Sequence, residues 1–230
     1  MDSKTDLLAR FAANPWFAQL PQAERKALVD AGEVVRFAAG DMLYRKGDVG
    51  TSFLGVIAGA FKVSTLGEDG REAILVVMEP GNWFGEASLL DGLPRPHDVT
   101  AIEPSSVLVI GAPAFERLMR RTAFARALGA LLCSRVRALY GLVEDAMLRS
   151  TSTRIARRLL SLARGDTTMA ADARSRVGVS QEALAMMLGI TRQTLSKELK
   201  VLARDGVLAL GYGRIEVLLP LELEKRAARA

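Results

Sequence analysis

"SQEALAMMLGITRQTLSKELKVLARDGVLALGYGRIEVL", from Ser180 to Leu218, is the stretch from which the rest of the chain is read. Ser180 is placed to cap a helix, because its hydroxyl accepts a hydrogen bond from an otherwise unpaired first-turn amide. Glu182 follows in the first turn, at the positive end of the helix dipole. Leu184 and Leu188 recur at helical spacing and mark an inward face, with Ala185 small where a second helix must cross closely. Gly189 permits a tight turn. Thr191 then caps a second helix, Leu195, Leu199 and Leu202 form its buried stripe, and Gly206 closes it. Two helices joined this way make a helix-turn-helix. The two short strands expected around Gly211-Tyr212-Gly213 add a wing.

In this geometry the amino-terminal part of the second helix enters the major groove of DNA. Its outward face carries Arg192, Gln193, Ser196 and Lys197. Arginine makes two hydrogen bonds to guanine, and glutamine does the same to adenine. Thr191, Thr194, Lys200 and Arg204 are expected at phosphates, and Arg214 of the wing at the backbone. Glu198 departs from the pattern, since an apolar residue usually stands there. The plainer alternative is an ordinary helical hairpin with a charged face. Charge distribution favours DNA: residues 150–230 hold 14 Lys and Arg against 8 Asp and Glu, while residues 1–149 hold 17 against 18.

The 230 residues, half of them hydrophobic, suffice for one large or two modest domains. Residues 5–31 read as short helices broken at Pro15 and Pro21 and ended by Gly32. From Glu33 to Ile110, apolar runs alternate with glycine turns, including a hairpin at Asp69-Gly70. This pattern predicts a small all-β barrel or jelly roll. A short helix is expected over 113–120 and a long one near 123–147. Leu132, Val136, Leu139, Val143 and Ala146 fall at alternating spacings of 4 and 3 along it. That spacing suits a dimer seam, and a helix packing on its own barrel produces a similar stripe. "LRSTSTR", 148–154, is the expected hinge.

A single cysteine, Cys133, allows no disulfide within the chain and no cysteine cluster for an iron–sulfur centre or zinc; no metal site is expected. His97 is the only histidine, and an ordinary polar loop residue is favoured over a haem ligand. No histidine-based triad, Walker loop or metal cluster motivates an enzyme. With no leader-like segment and no charge-free run near the ~18 residues of a membrane span, the expected location is cytoplasmic, away from membranes.

A β-rich domain, a long helix, a hinge and a winged helix-turn-helix in this order resemble the bacterial Crp/Fnr family. The likeness rests on "GDMLYRKGDVGTSFLGVIAGAFKV", "GREAILVVMEPGNWFGEASLLDGLPR" and "SQEALAMMLGITRQTLSKELKVLARDG". It implies an α+β chain with a cyclic-nucleotide-binding-type domain over 1–121, a dimerisation helix and hinge over 122–149, and a winged helix-turn-helix domain over 150–230. It further implies a homodimer on a double-stranded palindrome, with RNA polymerase as a further partner. Arg192, Gln193 and Lys197 match the family's base-reading positions. Gln193 stands where cyclic-AMP-binding members carry glutamate, which implies a different half-site at that base pair.

"GEASLLDGLPRPHDVTA", 85–101, matches the family's phosphate-binding cassette, with Gly85, Glu86 and Arg95 at the matching positions. Cyclic-AMP-binding members carry serine after the arginine. Here Pro96 follows, without hydroxyl or N–H. The adenine-contacting Thr-Ser pair of those members is replaced by Leu139 and Tyr140. Three readings of Arg95 stay open: a cyclic nucleotide held in a changed mode, another anionic effector, or a structural pairing with Glu86 or Asp98. The cofactor is therefore unknown. The expected function is an effector-controlled, sequence-specific transcription regulator. The alternative is a regulatory subunit using the same barrel to control an enzyme, for which a groove-reading helix has no use.

Overall fold

The computed structural model of the chain describes residues 3–70, 72–164, 176–177, 179–211 and 214–228. Contacts divide these into two units. The first comprises 3–70 and 75–133, the second 72–74, 134–164 and the described residues from 176 onward. Among the described residues, no helix is long and apolar enough to cross a membrane.

The first unit opens with α1 (Lys4–Phe11), α2 (Pro15–Gln19) and α3 (Gln22–Asp30). Ser3 and Asn14 cap the first two, and Pro15 takes the first position of α2, where a missing N–H costs nothing. The strands are β1 (Glu33–Phe37), β2 (Met42–Tyr44), β3 (Ser52–Ala58), β4 (Phe61–Leu66), β5 (Glu72–Met78), β6 (Trp83–Phe84), β7 (Asp98–Ala101) and β8 (Ser105–Gly111). A short helix, α4 (Glu86–Asp91), follows β6. The strands form two four-stranded sheets, ordered β1-β8-β3-β6 and β2-β7-β4-β5. This is the expected jelly roll. The predicted hairpin turn falls between β4 and β5, with Gly70 at φ 77°.

Strand β3, "SFLGVIA", reads as an unbroken apolar run because both its faces are covered. Leu54 and Val56 point into the roll, among Phe61, Phe84, Val99 and Val107. Phe53 and Ile57 point the other way, among Trp16, Phe17, Leu28 and Phe115. Trp83 anchors this second layer, stacked on Phe17 with ring centroids 5.7 Å apart and planes 2° from parallel.

Helices α5 (Ala112–Met119) and α6 (Thr122–Leu148) follow. The start of α6 belongs to the first core through Phe124, Leu128 and Leu131, and Trp16 donates its indole N–H to the Ala127 carbonyl at 2.8 Å. From Val136 onward the apolar stripe of this chain is uncovered. Val136, Leu139 and Val143 are 49%, 60% and 47% exposed.

In the second unit, Ser150 caps α7 (Thr151–Arg164) through the Thr153 amide. The interruption between α6 and α7 is thus two residues, Arg149 and Ser150, inside the expected hinge stretch. Next come β9 (Arg176–Val177), α8 (Gln181–Leu188), α9 (Arg192–Arg204), β10 (Leu208–Gly211), β11 (Arg214–Val217) and α10 (Pro220–Ala227). The sheet order is β10-β11-β9. One core joins Ile155 and Leu159 of α7, Leu184 of α8, Leu195 and Leu199 of α9, Ile215 of the wing and Leu223 of α10.

Candidate functional site

The helix-turn-helix is assembled by the residues that announced it. Ser180 caps α8 by accepting from the Ala183 amide at 3.1 Å. Gly189 ends α8 in the left-handed region, φ 64° and ψ 32°. The Ile190 amide reaches back to the Ala185 carbonyl at 3.1 Å, so the turn closes on the small residue where the helices cross. Thr191 caps α9 by accepting from the Thr194 amide at 3.1 Å.

Arg192, Gln193 and Lys197 are exposed on α9, Ser196 is half-buried, and Leu195 and Leu199 lie on the buried side. Thr191, Thr194, Lys200 and Arg204 are exposed as well. The Thr191 and Thr194 hydroxyls face each other at 2.9 Å, so the cap and its neighbour share one polar contact. Glu198 is half-buried rather than core, which lets a carboxylate stand where an apolar residue is usual. Arg214 opens β11; its side chain, like the wing tip Tyr212-Gly213, lies outside the described residues.

Helix α10 was not anticipated. Pro220 at its first turn and Lys225 and Arg226 in its last are the signals that could have found it. Arg226 donates to Asp205, the C-cap of α9, at 2.8 Å. This hydrogen bond, aided by the charges of Arg226 and Arg204, holds the Asp205 carboxyl below the usual carboxylate range.

Gly85, Glu86 and Arg95 come together in the first unit. Gly85 precedes α4 with φ 93°. A Cβ there would stand 2.8 Å from the Ser52 carbonyl oxygen and 3.0 Å from Arg95 Nη1, so glycine is required by both conformation and space. The Arg95 backbone is fixed first: its amide donates to the Asp48 carbonyl at 2.7 Å, and its carbonyl accepts from Gly47 at 2.8 Å.

The Arg95 side chain is 3% exposed. Nη1 donates to the Gly85 carbonyl at 2.7 Å and Nη2 to the Ser52 carbonyl at 2.8 Å. The guanidinium lies 4.3 Å from the Tyr44 ring centroid. Nε is buried without a hydrogen bond. Burial pushes the guanidinium pKa down, and Tyr44, Glu86 and Asp48 oppose this. Its hydrogen bonds go to neutral oxygens. Asp98, one carboxylate considered for a structural pairing, instead accepts from the Lys46 amide at 2.8 Å. Tyr44 and Ser52 are the partners that sequence reasoning missed, because nothing local links either residue to Arg95. Leu139 and Tyr140 belong to the second unit, 60% and 70% exposed on α6.

His97 is half-buried, with Nδ1 buried and without a hydrogen bond. Burial lowers its pKa first, Lys46 lowers it further, and Asp98 opposes them. Folding therefore disfavours a proton on this ring. Its contribution is neutral above the unfolded pKa of about 6.5 and becomes a loss of stability as pH falls below it. Thermal melts between pH 7.5 and 5.5 are expected to fall less steeply for His97→Gln, by at most about one bound proton. Equal slopes would remove His97 from the acid response.

Residues 34–122 match the cyclic nucleotide-binding domain, and residues 153–226 match the Crp-like helix-turn-helix domain. The cyclic AMP receptor protein of Thermus thermophilus is 30% identical over 182 residues, covering 79% of this chain and 82% of its own length. The CRP-like cAMP-activated global transcriptional regulator of Mycobacterium tuberculosis is 28% identical over 186 residues, covering 80% of this chain and 83% of its own. The solved structure of FixK2 from Bradyrhizobium japonicum shares the fold, with a TM-score of 0.76 over 86% of this chain and 98% of that one, at 22% identity. With both domains in this order on one chain, and a relative alike over most of both lengths, the protein belongs to the Crp/Fnr family and is a DNA-binding transcription regulator.

Proposed function

We propose that this regulator is a cytoplasmic homodimer whose DNA binding is controlled by an anionic effector at Arg95. The domains would be those expected: an effector domain over 1–121, a dimerisation helix and hinge over 122–149, and a DNA-binding domain over 150–230. The observation that carries the proposal is the state of the Arg95 guanidinium. It is 3% exposed, held by two carbonyl oxygens and an aromatic face, with Nε making no hydrogen bond. Neutral acceptors orient a buried cation without neutralising it, and an anion would do both.

The effector class is a phosphate ester. The Thermus thermophilus relative is named for cyclic AMP. A cyclic nucleotide is therefore the first candidate here, bound without the donors that Pro96 lacks. Leu132, Val136, Leu139, Val143 and Ala146 would form the dimer seam, with Tyr140 beside it and, with Leu139, offered to the effector's base. Their support is the exposure of Val136, Leu139, Tyr140 and Val143 in the single chain.

The dimer would read a palindrome with two copies of α9, Arg192, Gln193 and Lys197 at base edges, Ser196 beside them, and Thr191, Thr194, Lys200, Arg204 and Arg214 toward phosphates. Effector binding would shift the population of DNA-competent dimers. RNA polymerase would be the further partner.

Titration calorimetry of the purified protein with cyclic AMP, cyclic GMP and cyclic di-GMP tests the effector site. Micromolar binding of one nucleotide, weakened at least tenfold by Arg95→Gln, is the expected result. Silence with all three, or binding indifferent to that substitution, would overturn the phosphate-ester reading.

A further inference from the structure

The second unit contains a cavity of about 620 Å³ that lies apart from the outward face of α9. Its walls come from the later part of α6, from α7, from the end of α8 and from α10. Helix α7 contributes Arg154, Arg157, Arg158 and Arg164 to the wall. These recur at helical spacing, while Ile155, Ala156 and Leu159 are buried in the apolar core. Four guanidinium groups thus meet two lining carboxylates, Asp145 and Glu224.

The carboxylates are already engaged. Arg157 Nε donates to Asp145 at 2.7 Å, and Arg164 pairs with Glu224. Arg154 Nη2 donates to the Leu188 carbonyl at 2.7 Å, which orients its fork but leaves its charge in place. Arg158 is 4% exposed, and burial lowers its pKa. Small residues on the α6 wall, Ala138 and Gly141 among them, keep the space open.

We infer that this cavity is a second small-molecule site, for a compact anion carrying two linked phosphate groups. The wall holds two more positive than negative groups. Planar guanidinium forks match phosphate oxygens in pairs, and apolar surroundings strengthen each contact. The volume is that of a small-molecule pocket. Arg154 and Arg157 are the anchors, because both line the cavity and neither is buried. The bound anion spans α6 and α7 across Arg149 and Ser150, so it restrains that junction. None of this depends on the roll or on Arg95.

The test is calorimetric titration of the full chain with sodium pyrophosphate at constant ionic strength. One saturable site per chain is expected, weakened at least tenfold by Arg154→Gln and by Arg157→Gln and unchanged by Arg95→Gln. Arg154→Lys keeps the charge and loses the fork, so its affinity falls between wild type and Arg154→Gln, and circular dichroism confirms that each variant folds. Inorganic phosphate is expected to bind more weakly than pyrophosphate. Absence of saturable heat at millimolar pyrophosphate, or affinity indifferent to both glutamine variants, overturns the inference. So does equal affinity for inorganic phosphate. If these variants instead weaken binding of a DNA duplex while pyrophosphate does not bind, the basic face belongs to nucleic acid and the site is refuted.

Discussion

Replacing Arg192 and Lys197 together by alanine is expected to lower affinity for the specific operator by roughly 10²-fold to 10⁴-fold. Each two-pronged contact to a base discriminates by about 1–3 kcal/mol, and two well-separated contacts nearly add. Both side chains are exposed on α9, whereas Leu195 and Leu199 carry its packing. The melting temperature should therefore stay close to that of the wild type. Fluorescence anisotropy at one fixed salt concentration, on an operator recovered by genomic selection, measures the effect. Unchanged affinity would move base reading away from α9. Gln193→Glu adds a directional test on the same operator. A carboxylate accepts from cytosine, while the amide suits adenine, so the preferred base pair at one position of each half-site should change.

Gly85→Ala has the second large effect. Any L-residue at φ 93° is strained by about 1–3 kcal/mol, and the new Cβ would meet the Ser52 carbonyl oxygen at 2.8 Å. Backbone cannot yield as a flexible side chain does, so a loss of about 2–4 kcal/mol is expected in urea denaturation, with the slope unchanged. The same Cβ would stand 3.0 Å from Arg95 Nη1, so effector binding should fail in the variant even where it still folds. Gly92→Ala is the matched control. It also has positive φ, 70°, but nothing lies within 4 Å of its added Cβ. It should lose only the conformational part, about 1–2 kcal/mol, and keep the Arg95 site. Equal losses in the two variants would mean that the crowding at Gly85 is relieved without cost.

The helix-turn-helix was legible because all its signals are local. Ser180, Gly189 and Thr191 each act on backbone within five residues, and the leucine spacing needs only a helix to become a face. The Arg95 site was half legible. Gly85, Glu86 and Arg95 lie within one short stretch of sequence, but the Ser52 carbonyl and the Tyr44 ring come from strands 43 and more residues away. Pairing across a roll is set by sheet order, which no local pattern encodes. The long helix shows a different limit. Periodicity identifies an apolar stripe but not what covers it. In this chain the stripe is covered by its own core as far as Leu131, and Val136, Leu139 and Val143 are left exposed.

The separation of tasks along α9 has an evolutionary consequence. What sets the helix in place is a hydroxyl at Thr191, a left-handed glycine at Gly189, a buried leucine row and the tie from Arg226 to Asp205. The residues proposed to address it to a sequence, Arg192, Gln193 and Lys197, are exposed and take no part in its packing. Codons 192, 193 and 197 are therefore free to drift at little cost to folding. A duplicated copy of such a gene could acquire a new set of promoters within a few substitutions, while its other domain and its scaffold stay unchanged.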